Sequence, residues 1–305
     1  MSQISPPPSG YPSTFLLGGD QRPDIFDPAL KHYGRAFRPG EPVFADGGDR
    51  RRWYEARASV IDHVLRTVAA SPWRARLLLR GSVLLHAFIG EKARTPGDID
   101  WVVLPAHLKS DDAQADTMLE ELTARVLAEP IAGPARLHAE PIGRDEIWTY
   151  ERADGIRLSF VWSVEGLPAG TIQLDFVFGE KLPQEPVVTA VPAASGEPIY
   201  LLGASAELSL AWKILWLETD SYPQGKDLYD AVMLAEHTVL SMDLLRQVLD
   251  MNKDWISQGR VFGMSSVMEW QIDWKNFQRE YPWVQGDLES WRQRLIQSVI
   301  VTRSA

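Results

Sequence analysis

The clearest hydrophobic and polar pattern in the chain runs from Leu77 to Leu104, LLLRGSVLLHAFIGEKARTPGDIDWVVL. Leu77-Leu78-Leu79 is an apolar run short enough for a buried strand, Val83 to Ile89 suits a helix, and Trp101-Val102-Val103-Leu104 reads as a second buried strand. Strand side chains alternate, so Asp98 and Asp100 share one face while Ile99 turns into the core. Upstream, Trp53, Ala56, Val60, Val64, Leu65 and Val68 recur at helical spacing within Arg51 to Ala70, and Pro72 ends that helix. Residues 1 to 50 hold many prolines and glycines, show little periodicity, and read as an extended arm with disorder over the first dozen residues.

Downstream, Asp111 to Glu129 carries Met118, Leu119, Leu122, Val126 and Leu127 on one face and predicts a further helix. Residues 136 to 178 read as strands: Arg136 to Ile142, Ile147 to Arg152, Ile156 to Val164 and Thr171 to Phe178. In the last of these, Ile172, Leu174 and Phe176 alternate with Gln173, Asp175 and Val177, which sets Asp175 opposite the apolar face. Pro183 to Pro198 reads as a crossing segment. From Ser205, a capping residue, the pattern turns helical, with later helices over Asp227 to about His237, from Ser241 through Leu249, and over GDLESWRQRLIQSVIVTR. The expected fold class is α+β: an arm (1–50), a mixed-sheet core (51–198) and an all-helical C-terminal half (199–305), with the active site in the cleft between the halves.

Composition narrows the chemistry. The chain has 305 residues, no cysteine and six histidines scattered without ligand spacing, so disulfides and thiolate zinc sites are excluded. A reducing cytoplasm fits the absence of cysteine. The opening MSQISPPPSG is unlike a signal peptide, and no apolar run reaches the ~20 residues of a membrane span. A formal net charge of −10 weighs against a nucleic-acid partner, although Arg50-Arg51-Arg52, Arg57, Arg74, Arg76 and Arg80 gather in one region as a basic patch or a solvated helix face.

Against that background the carboxylates stand out. Asp98 and Asp100 at a strand start make an oxygen-rich site suited to Mg²⁺, and the Gly81-Ser82 turn before a helix offers N–H groups and a hydroxyl to phosphate. Asp175 adds a third acid; two Mg²⁺ roughly 4 Å apart on shared carboxylates would stabilise the attacking and leaving oxygens of nucleotidyl transfer. In the helical half, Lys213 lies within the apolar AWKILWL, either snorkelling to solvent or held for phosphate. Asp227 and Asp230 share a helix face, and Asp227 also reads as an N-cap. The tryptophan-rich C-terminal segment (Trp255, Trp270, Trp274, Trp283, Trp291) reads as core, with base stacking as the alternative.

Gly81-Ser82, Arg94-Thr95 before Asp98-Ile99-Asp100, the strand Asp175, and Lys213 with Lys226-Asp227-Leu228-Tyr229-Asp230 resemble the AbiEii/AbiGii nucleotidyltransferase toxins of the DNA polymerase β-like superfamily. The resemblance covers roughly 75 to 240. It implies that Gly81 and Ser82 meet the triphosphate and that Asp98, Asp100 and Asp175 hold metal, Asp175 as third acid and candidate base. It further implies that Lys213 binds the nucleotide phosphates and that Asp230 or Asp227 positions Lys213 or the acceptor. NTP would be the substrate, Mg²⁺ the cofactor, the tRNA 3′ end the acceptor, and an antitoxin the partner. Nucleotidylation of a protein or an aminoglycoside-like molecule, or a non-catalytic binding module, are the alternatives. The fifteen residues between Ser82 and Asp98 imply a lengthened loop.

Overall fold

The structure is a computed structural model that describes residues 9–13, 15, 22–149, 153–252 and 259–299. It divides into two compact units, one of Met1–Val83, Pro96–Lys181 and Val188–Gly203, the other of Leu84–Thr95, Leu182–Val187 and Ala204–Ala305.

The first unit opens with β1 (Asp24–Phe26) paired antiparallel to β2 (Phe37–Pro39), with a 3-10 turn at Pro28–Leu30 between them. The described part of the arm is tied down, because Leu30 is buried against Ala36 and Ile147. Ser13 also donates through N and Oγ to Asp145 Oδ1 at 2.7 and 2.6 Å. Helix α1 (Gly47–Ala69) starts four residues ahead of Arg51 because Asp46 accepts from the Gly48 and Asp49 amides and caps it there. Its predicted apolar stripe, Trp53 through Val68, is buried.

Among the described residues this unit is built on an eight-stranded mixed sheet, ordered β5-β6-β7-β8-β4-β3-β10-β9. The strands are β3 (Leu77–Arg80), β4 (Asp98–Val103), β5 (Ile131–Ala132), β6 (Ala135–Thr149), β7 (Ala153–Ser163), β8 (Gly170–Val177), β9 (Val187–Val191) and β10 (Ile199–Gly203). β4 runs parallel to β8 and antiparallel to β3, and α3 (Ala113–Ala128) follows β4. Two readings are corrected. The strands expected at 136–142 and 147–152 are one strand, β6, with a register irregularity between Leu137 and Ile142; residues 150–152 lie outside the described residues. The polar Arg144-Asp145-Glu146 stays in the ladder because Ser13 and Tyr33 donate to the buried Asp145 carboxylate. Pro183 to Pro198 is more than a crossing, since it contains β9, and β10 follows it; Pro186 and Pro192 flank this outermost strand, where proline is tolerated.

Helix α2 (Gly81–Ile89) begins in the first unit, and the second unit takes it over from Leu84. A 3-10 turn at Gly90–Lys92 follows, and among the described residues the elements from Ala204 onward are helices, as expected. Helix α4 (Ala206–Thr219) is capped by Ser205, whose Oγ accepts from the Leu208 amide at 3.0 Å, and is buried on all sides from Leu208 to Glu218. Helix α5 (Gly225–Ala235) begins after Gln224, so Asp227 lies in the first turn and does not cap. Ser241 caps α6 (Met242–Asp250). Two short helices went unread, α7 (Met264–Glu269) and α8 (Trp274–Glu280), and α9 (Leu288–Val299) is the expected last one; residues 300–305 lie outside the described residues. Trp270, Trp274 and Trp291 are core residues, whereas Trp283 is exposed and Trp255 falls outside the description. No helix among the described residues is long and apolar enough to cross a membrane.

Candidate active site

In the first unit, β3 ends at Arg80 and the chain turns through Gly81 into α2. Gly81 has φ +76°, a conformation that costs an L residue about 1–2 kcal/mol. A Cβ there would also lie 2.0 Å from Asp100 Oδ2, so the Asp100 carboxylate sits directly over the glycine backbone. Ser82 Oγ donates to Asp98 Oδ1 at 3.3 Å. Burial alternates along β4 as predicted, with Asp98 and Asp100 half-buried and Ile99 and Trp101 inside.

Strand register carries the acids further. Arg80 is the partner of Asp100, Asp100 of Asp175, Asp175 of Arg157, and Arg157 of Asp145, one residue from each of β3, β4, β8, β7 and β6. Register partners on neighbouring strands face the same way, so the five form a charged row across the sheet. Arg157 grips Asp175 with two bonds of 2.7 Å, Nε to Oδ1 and Nη2 to Oδ2, and reaches Asp27 in the arm through Nη1 at 2.6 Å. Arg80 reaches Glu180 at 2.7 Å. Asp175 is therefore not on an open polar face; β8 is buried on both sides, and Asp175 is 5% exposed. Burial pushes its carboxyl up from the ordinary value, the Arg157 guanidinium pulls it down, and Asp98 and Asp27 push it up again, for a net rise. Among the register partners and ion pairs just given, the cations are Arg80 and Arg157 and the acids are Asp27, Asp100, Asp145, Asp175 and Glu180, so acids outnumber cations.

The second unit holds a different cluster. Lys213 Nζ lies 2.7 Å from Asp227 Oδ1 and 3.1 Å from Asp230 Oδ2, and sits 4.9 Å from the centre of the Trp216 ring. Arg94 forks onto Asp230, Nε to Oδ1 at 2.8 Å and Nη2 to Oδ2 at 2.7 Å, and donates to Tyr281 Oη at 3.1 Å. Tyr229 Oη donates to the Lys92 carbonyl at 2.8 Å, pinning the same loop. All four charged side chains are buried, and two cations meet two carboxylates. Burial works against ionised Asp230, yet Arg94 and Lys213 outweigh it and hold its carboxyl below the ordinary range. Burial likewise opposes the Lys213 charge, and Asp227 and Asp230 outweigh it and raise its pKa. Lys213 thus does not snorkel to solvent; it is enclosed.

The structure brings Gly81, Ser82, Asp98, Asp100 and Asp175 together in the first unit, and Lys213, Asp227 and Asp230 together in the second. Among the described residues no group of three or more His, Cys, Asp or Glu side chains is placed to hold a metal ion. The donors at Asp98 and Asp100, with Ser82 beside them, have the hard-oxygen chemistry Mg²⁺ takes, whereas both oxygens of Asp175 are given to Arg157. Sequence reading missed Arg157 and Asp27 and left Arg94 without a partner. The signal for Arg157 was present: a lone cation in the apolar IRLSFVW, one strand from a lone acid in TIQLDFVF.

Residues 63–295, which include Gly81, Ser82, Asp98, Asp100, Asp175, Lys213, Asp227 and Asp230, match the model of the nucleotidyl transferase AbiEii toxins of type IV toxin–antitoxin systems. The chain belongs to this family. As an AbiEii-family member it is a nucleotidyltransferase, and the mixed sheet followed by helices is the fold expected for one. Asp27 lies outside the matched stretch. Among solved structures, the solution structure of the antibiotic-resistance factor ANT(2'')-Ia is similar over 66% of this chain and 94% of its own, at 13% identity and a TM-score of 0.34. No curated protein matches the chain.

Proposed function

We propose that this AbiEii-family chain moves a nucleoside monophosphate from an NTP to the 3′-terminal hydroxyl of a tRNA, acting as the toxin of a toxin–antitoxin pair. The observation that carries the reading is the Gly81-Ser82 turn set against Asp98 and Asp100 on the adjoining strand, within the stretch that matches the family. Asp98 and Asp100 would hold Mg²⁺, which, when bound, neutralises triphosphate charge and lowers the pKa of an attacking hydroxyl. Gly81 lets the Asp100 carboxylate lie against the turn, and Ser82 holds Asp98 while the first α2 amides would meet phosphate. By the family resemblance Lys213 would bind nucleotide phosphate, and in the second unit Asp227 and Asp230 hold its ammonium. Exposed Arg50, Arg51 and Arg52 on α1 offer contacts to an RNA backbone, and Arg57 on the same helix lies beside Gly97, next to Asp98.

A second acceptor class is favoured by one observation: a net charge of −10 suits a cationic small molecule or protein side chain better than RNA. Incubation with each α-labelled NTP, Mg²⁺ and total RNA, beside the Asp98→Ala/Asp100→Ala double variant, separates the two. Label in a tRNA-sized band with the intact protein alone supports the proposal. Label in protein or small molecules moves the acceptor, and no label in any fraction contradicts transfer.

A further inference from the structure

Nucleotidyl transfer on three carboxylates implies two metal ions, but the charged row already contains a cation where the third carboxylate lies. Arg157 is 3% exposed and spends every guanidinium nitrogen on a carboxylate, Nε and Nη2 on Asp175 and Nη1 on Asp27. The planar fork matches both Asp175 oxygens at once, the geometry in which arginine pairs most strongly. It is also enforced by the ladder, because Arg157 and Asp175 are direct register partners on β7 and β8. For Asp175 to coordinate a metal, the guanidinium would have to leave a buried site and abandon Asp27 as well.

We propose that this site takes a single divalent cation, on Asp98 and Asp100, and that Arg157 stands permanently where a second ion's charge would be needed. The proposal rests on the nucleotidyl-transfer reading of the same residues. Arg157 is a positioning residue here: it acts through Asp175, fixing the carboxylate beside Asp100 in the row. Asp27 extends the device to the N-terminal arm, so the arm, outside the matched family stretch, helps set the charge of the site.

The test is Mn²⁺ binding to the full chain, read by electron paramagnetic resonance with a non-hydrolysable NTP analogue at saturation. One ion per chain is expected. Asp100→Asn should weaken Mn²⁺ binding about a hundredfold or more, and Asp175→Asn clearly less, about tenfold, since Asp175 touches Arg157 and not the ion. In folded Arg157→Gln, where Asp27 and Asp175 lose their cation, a second ion should bind. Two ions in the unaltered chain, or equal losses in Asp175→Asn and Asp100→Asn, would overturn the proposal and leave nucleotidyl transfer standing. A count that stays at one in folded Arg157→Gln would overturn the stand-in role. No Mn²⁺ bound, together with no transfer of label, would overturn this proposal and the transferase reading alike.

Discussion

The ion-pair cluster in the second unit is buried and the sheet row in the first is buried except at the half-buried Asp100; both are rich in aspartate, but they differ in charge balance. Asp227 and Asp230 meet Lys213 and Arg94 one for one, and each carboxylate is gripped within 3.1 Å. The sheet row has more acids than cations, and its Asp175 carries a raised pKa despite an arginine fork. A balanced buried cluster offsets its desolvation cost only while every partner is present; removing one leaves a buried charge uncompensated. A cluster with more acids than cations keeps part of its repulsion, which an incoming cation would relieve. On the proposed function, the helical cluster holds Lys213 and Arg94 in place and the acids on β4 are the reactive part.

That contrast yields predictions that differ in what they damage. The largest effect is expected from Asp98→Ala/Asp100→Ala: transfer of label should fall by about a thousandfold or more, with the unfolding midpoint nearly unchanged. Asp230→Ala should do the reverse, costing about 3–5 kcal/mol in denaturant unfolding because Arg94 and Lys213 lose their shared partner.

Acid sharpens the same distinction. The folded pKa of Asp230 is depressed, so its stabilisation is complete above the unfolded value, about 3.9, and is lost as pH falls through the folded one. Unfolding followed from pH 7 to pH 2 should show that loss below about pH 4, and Asp230→Asn should remove this part of the slope. Gly81→Ala lies between the two regions in kind: the left-handed φ costs about 1–2 kcal/mol and the new Cβ displaces Asp100, so stability and transfer should drop together. The smallest expected effect is Tyr229→Phe, which loses one hydrogen bond to the Lys92 carbonyl and should cost about 1 kcal/mol, visible as faster amide exchange over residues 90–95.

How much of this could be read in the chain depended on whether the determining contacts were local. The β3–α2–β4 unit was legible because a run of leucines, a Gly-Ser turn and an Asp-x-Asp alternation each act within a few residues. Ser205 and Ser241 announced their helices for the same reason, since a cap is a three-residue interaction. The continuity of β6 was hidden because Asp145 is kept in the ladder by Ser13 and Tyr33, more than a hundred residues away in sequence. Strands β9 and β10 were too short, and too close to prolines, to separate from a loop. At the site, residue types pointed correctly to oxygen-rich chemistry, but Arg157, Asp27 and the enclosure of Lys213 are products of strand register and helix packing.

The most direct test of this division of labour is the unfolding free energy of Asp100→Asn measured beside Asp230→Asn under identical conditions. Removing a charge from the unbalanced row should leave stability within about 1 kcal/mol of the unaltered chain or raise it, while the balanced cluster should lose about 3 kcal/mol or more. Equal losses in the two variants would contradict the account, because Asp100 would then support the fold as Asp230 does.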